Sequence, residues 1–352
     1  AAILVFALGS IACGLSQSLP QLIGARVLQG IGGSMMVPVG RLIVLRATPK
    51  AGLVAALAWL TVPALIGPVM GPPLGGFITT FFNWRWIFWI NIPIAVLGVA
   101  LVSLYIPRVA VSERRGLDMW GFLLIGPGLA GFLTGLTLAG LDLAPPSLVW
   151  LMTIAGLVLI LLYVRHALIV PDPLVDLRLL RLATFRISVV GGMFFRVGSG
   201  SLPFLLPLLL QVGFGLTPFQ SGMMTFASGA GALLMKFLAQ PLLTRFGFRM
   251  VLTVNAVVSG IFILAPSGFT PQTPYLVMVA VLFLGGVSRS LQFTSINAVS
   301  YADIGPERLS SASSFNAVLQ QLSGSIGITI AAFALQAVQI WLGVDQLDVA
   351  IF

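Results

Sequence analysis

Apolar stretches and short polar breaks alternate along the entire chain. Eleven apolar spans are legible, at approximately 1–15, 20–45, 51–81, 84–106, 118–140, 148–168, 185–212, 217–243, 249–266, 274–300 and 308–340. Most are near the ~20 residues that a helix needs to cross about 30 Å of hydrocarbon. The pattern predicts an all-α polytopic membrane protein with about eleven transmembrane helices. The breaks between spans are short, and the longest connection is PDPLVDLRLLRLAT, between Val170 and Thr184.

Alternate breaks differ in charge. One set carries Arg41, Arg46 and Lys50, then Arg108, Arg114 and Arg115, then Arg165, Arg178, Arg181 and Arg186, then Arg245 and Arg249, and last Arg308. The other set carries only Arg85, in FFNWRW. The positive-inside rule places the first set in the cytoplasm, and a missing or extra span would have scrambled the alternation. Trp84, Trp86 and Trp89 cluster beside the outer break, as interfacial aromatic residues do.

Composition agrees. Of 352 residues, 58% are hydrophobic and 8% charged, and the mean hydropathy is +1.08. A soluble domain carries roughly 25% charged residues. The net charge of +9 would suggest nucleic acid in a soluble protein, but here the basic residues set membrane orientation, so nucleic acid is not an expected partner. One cysteine, Cys13, and one histidine, His166, offer neither a disulfide within the chain nor a His/Cys metal site. Both ends read as cut, because Ala1 stands directly inside an apolar run and the end at Phe352 has no natural terminus.

Internal similarity is faint. LPQLIGARVLQGIGG and the residues after it, over 20–60, echo TPYLVMVAVLFLGG and its sequel over 274–316, with Gly32-Gly33 and Gly285-Gly286 nearly matched. This fits two helical bundles of one orientation. The expected division is an N-terminal bundle at 1–106, an inserted transmembrane pair with its cytoplasmic loops at 107–184, and a C-terminal bundle at 185–352.

Chemistry is concentrated in charges placed inside spans. Arg26 lies several residues into its span, where a charge costs roughly 2.5–3.5 kcal/mol on insertion scales. Gln29, Gly30 and Gly33 follow on its face, so the side chain is expected to point away from lipid. It is either a charge in the transport path or a buried arginine bonded to a neighbouring helix. Arg196, Lys236 and Arg289 are also intramembrane. Arg196 has Ser199 and Gly200 on its face, and Arg289 has Gln292 and Asn297; a polar cavity and purely structural bonding are the two readings for each. Lys236 is expected to snorkel to the inner surface. All nine acids fall in breaks or at ends, so a cavity lined by these cations suits anionic or neutral amphipathic compounds. GPVMGPPLGG contributes Gly67, Pro68, Gly71, Pro72, Pro73, Gly75 and Gly76. Glycines four apart permit close helix approach, and the prolines bend the span.

Together these motifs resemble the major facilitator superfamily. ARVLQGIGGSMMVPVGR looks like its motif B and GPVMGPPLGG like its antiporter motif C. NWRWIFWINIPI and RRGLDMWGFLL are similar to segments of the fourteen-helix drug:proton antiporter branch, the latter at the entry to two extra helices. QPLLTRFGFR resembles the second-half motif A loop. The resemblance covers essentially the whole chain and implies that it runs from the family's third helix to its thirteenth. By the same resemblance Arg26 assists proton movement, Gly67–Gly76 marks antiport, and Arg245, Gly247 and Arg249 form part of a cytoplasmic gating loop. The family's first helix carries an acid linked to proton coupling, and no deep acid is present here.

The expected function is secondary active transport by alternating access, with efflux of small amphipathic drugs against protons in a bacterial inner membrane. The proton gradient supplies the energy and no cofactor is needed; lipid, protons and small amphipathic substrates are the expected partners, with an accessory efflux partner left open. A transporter of one organic anion on the same fold and a truncated, non-transporting remnant are the rivals. An enzyme is not expected: no Ser/His/Asp set, intramembrane carboxylate pair or phosphate loop occurs.

Overall fold

A chain this apolar must satisfy its backbone polar groups internally, and helices do so within a single segment. The computed structural model describes residues 1–47, 53–105, 118–141, 144–171, 173–305 and 308–343. Helices α1 (Ala2–Leu15), α2 (Leu19–Ala47), α3 (Leu53–Phe81), α4 (Trp86–Trp89) and α5 (Asn91–Tyr105) come first. They are followed by α6 (Met119–Leu141), α7 (Pro146–Ile169), α8 (Ala183–Leu208), α9 (Pro218–Leu264), α10 (Tyr275–Tyr301) and α11 (Leu309–Leu342). By length and composition, seven spans among the described residues are long and apolar enough to cross a membrane. The protein is an integral membrane protein of all-α architecture.

The expected spans return with two refinements. The span at 84–106 begins as the single turn α4 and continues as α5. The spans at 217–243 and 249–266 are joined in α9, but Gly247 interrupts the helical backbone at φ 74°, ψ 156°. Only glycine adopts that conformation without strain, so the chain turns within the short break that Arg245 and Arg249 mark.

Several cations expected in loops lie on helices instead. Arg41 and Arg46 fall within α2, Arg165 within α7 and Arg186 within α8. Lys50, Arg108, Arg114, Arg115, Glu113, Asp142, Asp172, Glu307, Asp345 and Asp348 lie outside the described residues.

Two compact units emerge. The first comprises Ala1–Arg115 with Thr217–Phe226, and the second Gly116–Leu216 with Ala227–Phe352. In the first, α1 packs on α2 where Gly9 meets the Gln29 backbone and Gly32 meets Phe6. The Trp89 ring lies against Gly14, and Arg85 donates to the Ser16 carbonyl at 2.9 Å while stacking 4.6 Å from the Trp84 ring. In the second, α6 packs on α7 and on α11, and α8 packs on α10 and α11. Phe185, Phe315, Tyr163 and Leu179 form part of its apolar core.

The long connection after α7 is ordered by side-chain bonding. Residues Leu177–Arg181 form a 3-10 turn capped by Asp176, whose carboxylate accepts from the Arg178 amide at 3.0 Å. Tyr163 reaches from α7 to accept from the Val175 amide at 2.6 Å. Arg178 donates to the Val170 and Pro171 carbonyls, securing the exit of α7.

Candidate functional site

In the first unit, polar atoms converge between α1, α2 and α5. Arg26 donates from Nη1 to Gln29 Oε1 at 2.5 Å, and Gln29 Nε2 donates to Ser10 Oγ at 2.6 Å. Asn91 Nδ2 also reaches Ser10, at 3.4 Å, and the Cys13 thiol lies 4.0 Å from Gln29 Oε1. The register of α2 makes this possible, because residues three apart share a face. Gln29, Ser10 and Cys13 are buried, whereas Arg26 is exposed, with its guanidinium 5.9 Å from the Phe88 ring centre. Arg26 thus meets Gln29, the polar residue on its face, while its side chain stays exposed. Gly30 has open space where a side chain would stand, and the close α1–α2 approach uses Gly9 and Gly32.

The glycine run of α3 divides by face. Gly67, Gly71 and Gly75 have open space around them, but Gly76 lies against the backbone of Pro218 and Phe219. Gly222 of α9 returns the contact against Pro72 and Pro73, and the Phe219 amide donates to Thr80 Oγ1 at 3.1 Å. Among the described residues, close helix approach therefore occurs on the face of Pro72, Pro73 and Gly76 and not on that of Gly67, Gly71 and Gly75, since a step from residue 75 to 76 turns the helix by about 100°. Pro68 is exposed.

In the second unit, Arg196 is the largest fully buried side chain, 2% exposed. Its Nη2 donates to Asn297 Oδ1 at 3.2 Å and to Asn316 Oδ1 at 2.9 Å. Asn316 Nδ2 in turn donates to Asn297 Oδ1 at 3.1 Å and to the Tyr301 hydroxyl at 3.2 Å. One arginine of α8 thus meets polar groups of α10 and α11. Among the described residues its Nε and Nη1 are buried without a partner, as is Ser199 Oγ one turn on.

Gln292 and Asn297, read as lying on the Arg289 face, take hydrogen-bond partners other than Arg289. Arg289 donates to Ser228 Oγ on α9. Gln292 Oε1 accepts from Asn255 at 2.9 Å, and Asn255 also donates to the Ser288 carbonyl at 2.8 Å. Eight residues of helix separate Arg289 from Asn297 by about 12 Å, too far for one hydrogen-bonded cluster. Lys236 is exposed, and its Nζ donates to Thr294 at 3.0 Å. At the α9 break, Arg245 and Arg249 flank Gly247 and are both exposed, with Arg245 stacked 5.5 Å from the Phe246 ring centre.

Outside the spans, Asp118 caps α6 by accepting from the Gly121 amide at 2.8 Å and pairs with His166 Nε2 at 2.8 Å. Burial raises the Asp118 carboxyl, but the Gly121 amide and His166 together bring it below the ordinary carboxylate value. An apolar cleft of ≈ 250 Å³ in the same unit is lined by Leu202, Leu206, Ile263, Ala331 and Leu335 among others. Ser10, Asn91, Asn255, Tyr301 and Asn316 were absent from the sequence expectations. Their signal is a neutral polar side chain inside an apolar span, which is weaker than a charge.

The family model of the Major Facilitator Superfamily matches residues 1–120 and 188–344. The intervening stretch holds most of α6 and all of α7. A protein of Citrobacter koseri named "Putative multidrug resistance protein MdtD" is 39% identical over 335 residues, covering 95% of this chain and 71% of the relative. Proteins of the same name from Salmonella heidelberg and Shigella sonnei are 40% identical over 345 residues and 39% identical over 339 residues, with the same coverage of 95% and 71%.

Proposed function

The chain belongs to the major facilitator superfamily, and on that premise we propose that it exports chemically varied amphipathic compounds from a bacterial cytoplasm in exchange for protons. It is a membrane transporter and not an enzyme. The observation that carries drug export is the likeness over 95% of the chain to proteins named for multidrug resistance. The intramembrane Arg26–Gln29–Ser10 chain supports a role in the transport path, because an ionisable group held within a span costs free energy that function repays. Arg196, Arg289, Gln292 and Asn297 are assigned to the polar path of the second unit, the Gly67–Gly76 run to the antiport helix, and Arg245, Gly247 and Arg249 to the gate on the cytoplasmic side. In this reading α6 and α7 are the inserted pair at 107–184, between bundles at 1–106 and 185–352. The substrate path opens to one side of the inner membrane at a time.

Dye accumulation in a bacterial host lacking its own exporters tests the proposal. Expression of the intact protein lowers accumulation of several unrelated amphipathic dyes, and a protonophore restores it. Unchanged accumulation, or export indifferent to the protonophore, contradicts the proposal. A second reading, export of one organic anion, is favoured by the uncompensated Arg196; it predicts a response confined to that anion.

A further inference from the structure

Four buried side-chain polar atoms have no hydrogen-bond partner among the described residues, and three of them lie on α8: Arg196 Nε, Arg196 Nη1 and Ser199 Oγ. Such atoms are costly in a span, where no bulk water is available to satisfy them. Their concentration within one helical turn is chemically specific. A guanidinium donates and never accepts, and it retains its charge in proteins. The partners it has, Asn297 and Asn316, are neutral amide oxygens that fill Nη2 only. No carboxylate pairs with Arg196 among the described residues. The site therefore has a positive charge and free donors, and lacks a negative charge with free acceptors.

From this we infer that Arg196 and Ser199 bind the carboxylate headgroup of an amphipathic substrate. The inference rests on the export reading above and adds the charge class that this site accepts. A carboxylate brings the missing charge together with acceptor oxygens for donors that this turn of α8 leaves unmet. A primary ammonium would place a second positive charge against Arg196, and a neutral amide would satisfy donors without compensating charge. The order of preference at this site is carboxylate, then amide, then amine. Because the three atoms are closed off in this conformation, a headgroup reaches them only when the packing of α8 against α10 and α11 loosens. An anion that relieves the unmet donors then favours whichever state admits it.

The test measures binding of 4-hexylbenzoate by equilibrium dialysis to the intact protein in phosphatidylcholine nanodiscs, beside 4-hexylbenzamide and 4-hexylbenzylamine. The carboxylate binds about tenfold or more tightly than the amide, on the scale of one charge-assisted hydrogen bond. Arg196→Gln reduces carboxylate binding to the level of the amide, Ser199→Ala weakens it severalfold, and Arg196→Lys retains part of the preference. Asn316→Asp installs an internal carboxylate beside Arg196 and abolishes the preference in a protein whose fold keeps its arginine. Equal binding of carboxylate and amide, or a preference that survives Arg196→Gln, overturns the inference. Added phosphatidylglycerol leaves benzoate binding unchanged; competition by that lipid would assign the site to a lipid headgroup and overturn the substrate assignment. No proton gradient enters this measurement, so failed export with an intact carboxylate preference contradicts the export reading alone.

Discussion

Arg26 and Gln29 sit three residues apart on α2 and share a 2.5 Å hydrogen bond from Nη1 to Oε1, while Gln29 hands its own amide proton to Ser10 of α1. An exposed cation is thereby tied to a buried glutamine at a helix crossing. The two residues should fail differently. Arg26→Ala lowers transport by about tenfold or more, the equivalent of one lost charge-assisted hydrogen bond, with little change in thermal stability. Gln29→Leu removes both bonds inside the crossing and costs about 1–3 kcal/mol. Transport rate and thermal unfolding measured side by side on both variants separate these effects.

Arg196 should be a residue whose removal stabilises the protein. Its charge is buried with no carboxylate partner among the described residues, and Asn297 and Asn316 retain their mutual bond in its absence. Replacing a buried ion pair by apolar groups of similar volume gains about 1–4 kcal/mol in favourable cases, and removing a buried charge that lacks its counter-ion acts in the same direction. Arg196→Met is expected to raise the unfolding midpoint while transport of anionic compounds falls. A lowered midpoint would show that the arginine holds the unit together.

Gly247 supplies the break that lets α9 carry two membrane-spanning segments. At φ 74°, ψ 156° a side chain is strained, with a cost of about 1–3 kcal/mol. Gly247→Ala is expected to destabilise the protein by that amount and slow transport. The open space around Gly247 makes backbone strain, not a clash, the cause. Gly247→Asn recovers none of the loss, because the tolerance of asparagine for positive φ is confined to the left-handed helical region and ψ 156° lies far outside it.

Asp118 sets an acid limit on the second unit. Its folded carboxyl titrates below the ordinary value of 3.8, so its stabilising contribution is fully present above that value. The contribution is lost as pH falls through the lower, folded value. Asp118→Asn should lower stability at neutral pH and flatten the acid side of the stability profile. Chemical unfolding of both forms between neutral and strongly acidic pH tests this. Gly121→Ala should mimic part of the effect, since a side chain there collides with the Asp118 carboxylate.

The fold was legible because lipid imposes a simple rule: each crossing needs a long apolar helix, and its charges collect at the ends. Eleven spans and the break near Gly247 could be read from that alone. Charges within spans were equally legible, so Arg26, Arg196 and Arg289 stood out. Their partners did not. Asn316 lies 120 residues from Arg196, and only the crossing of α8 with α11 brings them together. Asn297 reads as a residue on the Arg289 face, but the helix carries it about 12 Å along the axis, to Arg196. The glycine run of α3 likewise signals close approach without saying which face meets a neighbour; the answer is the face of Pro72, Pro73 and Gly76, against Gly222, Pro218 and Phe219.

Proton movement in inverted membrane vesicles holding the intact protein tests the central claim most directly. A proton gradient is established, amphipathic compounds of unrelated structure are added, and a pH-sensitive dye reports the response. Proton-coupled export predicts that several compounds dissipate the gradient and that Arg26→Ala, folded and present at equal level, weakens the effect about tenfold or more. A gradient undisturbed by every compound, with the protein folded in the membrane, would contradict the account.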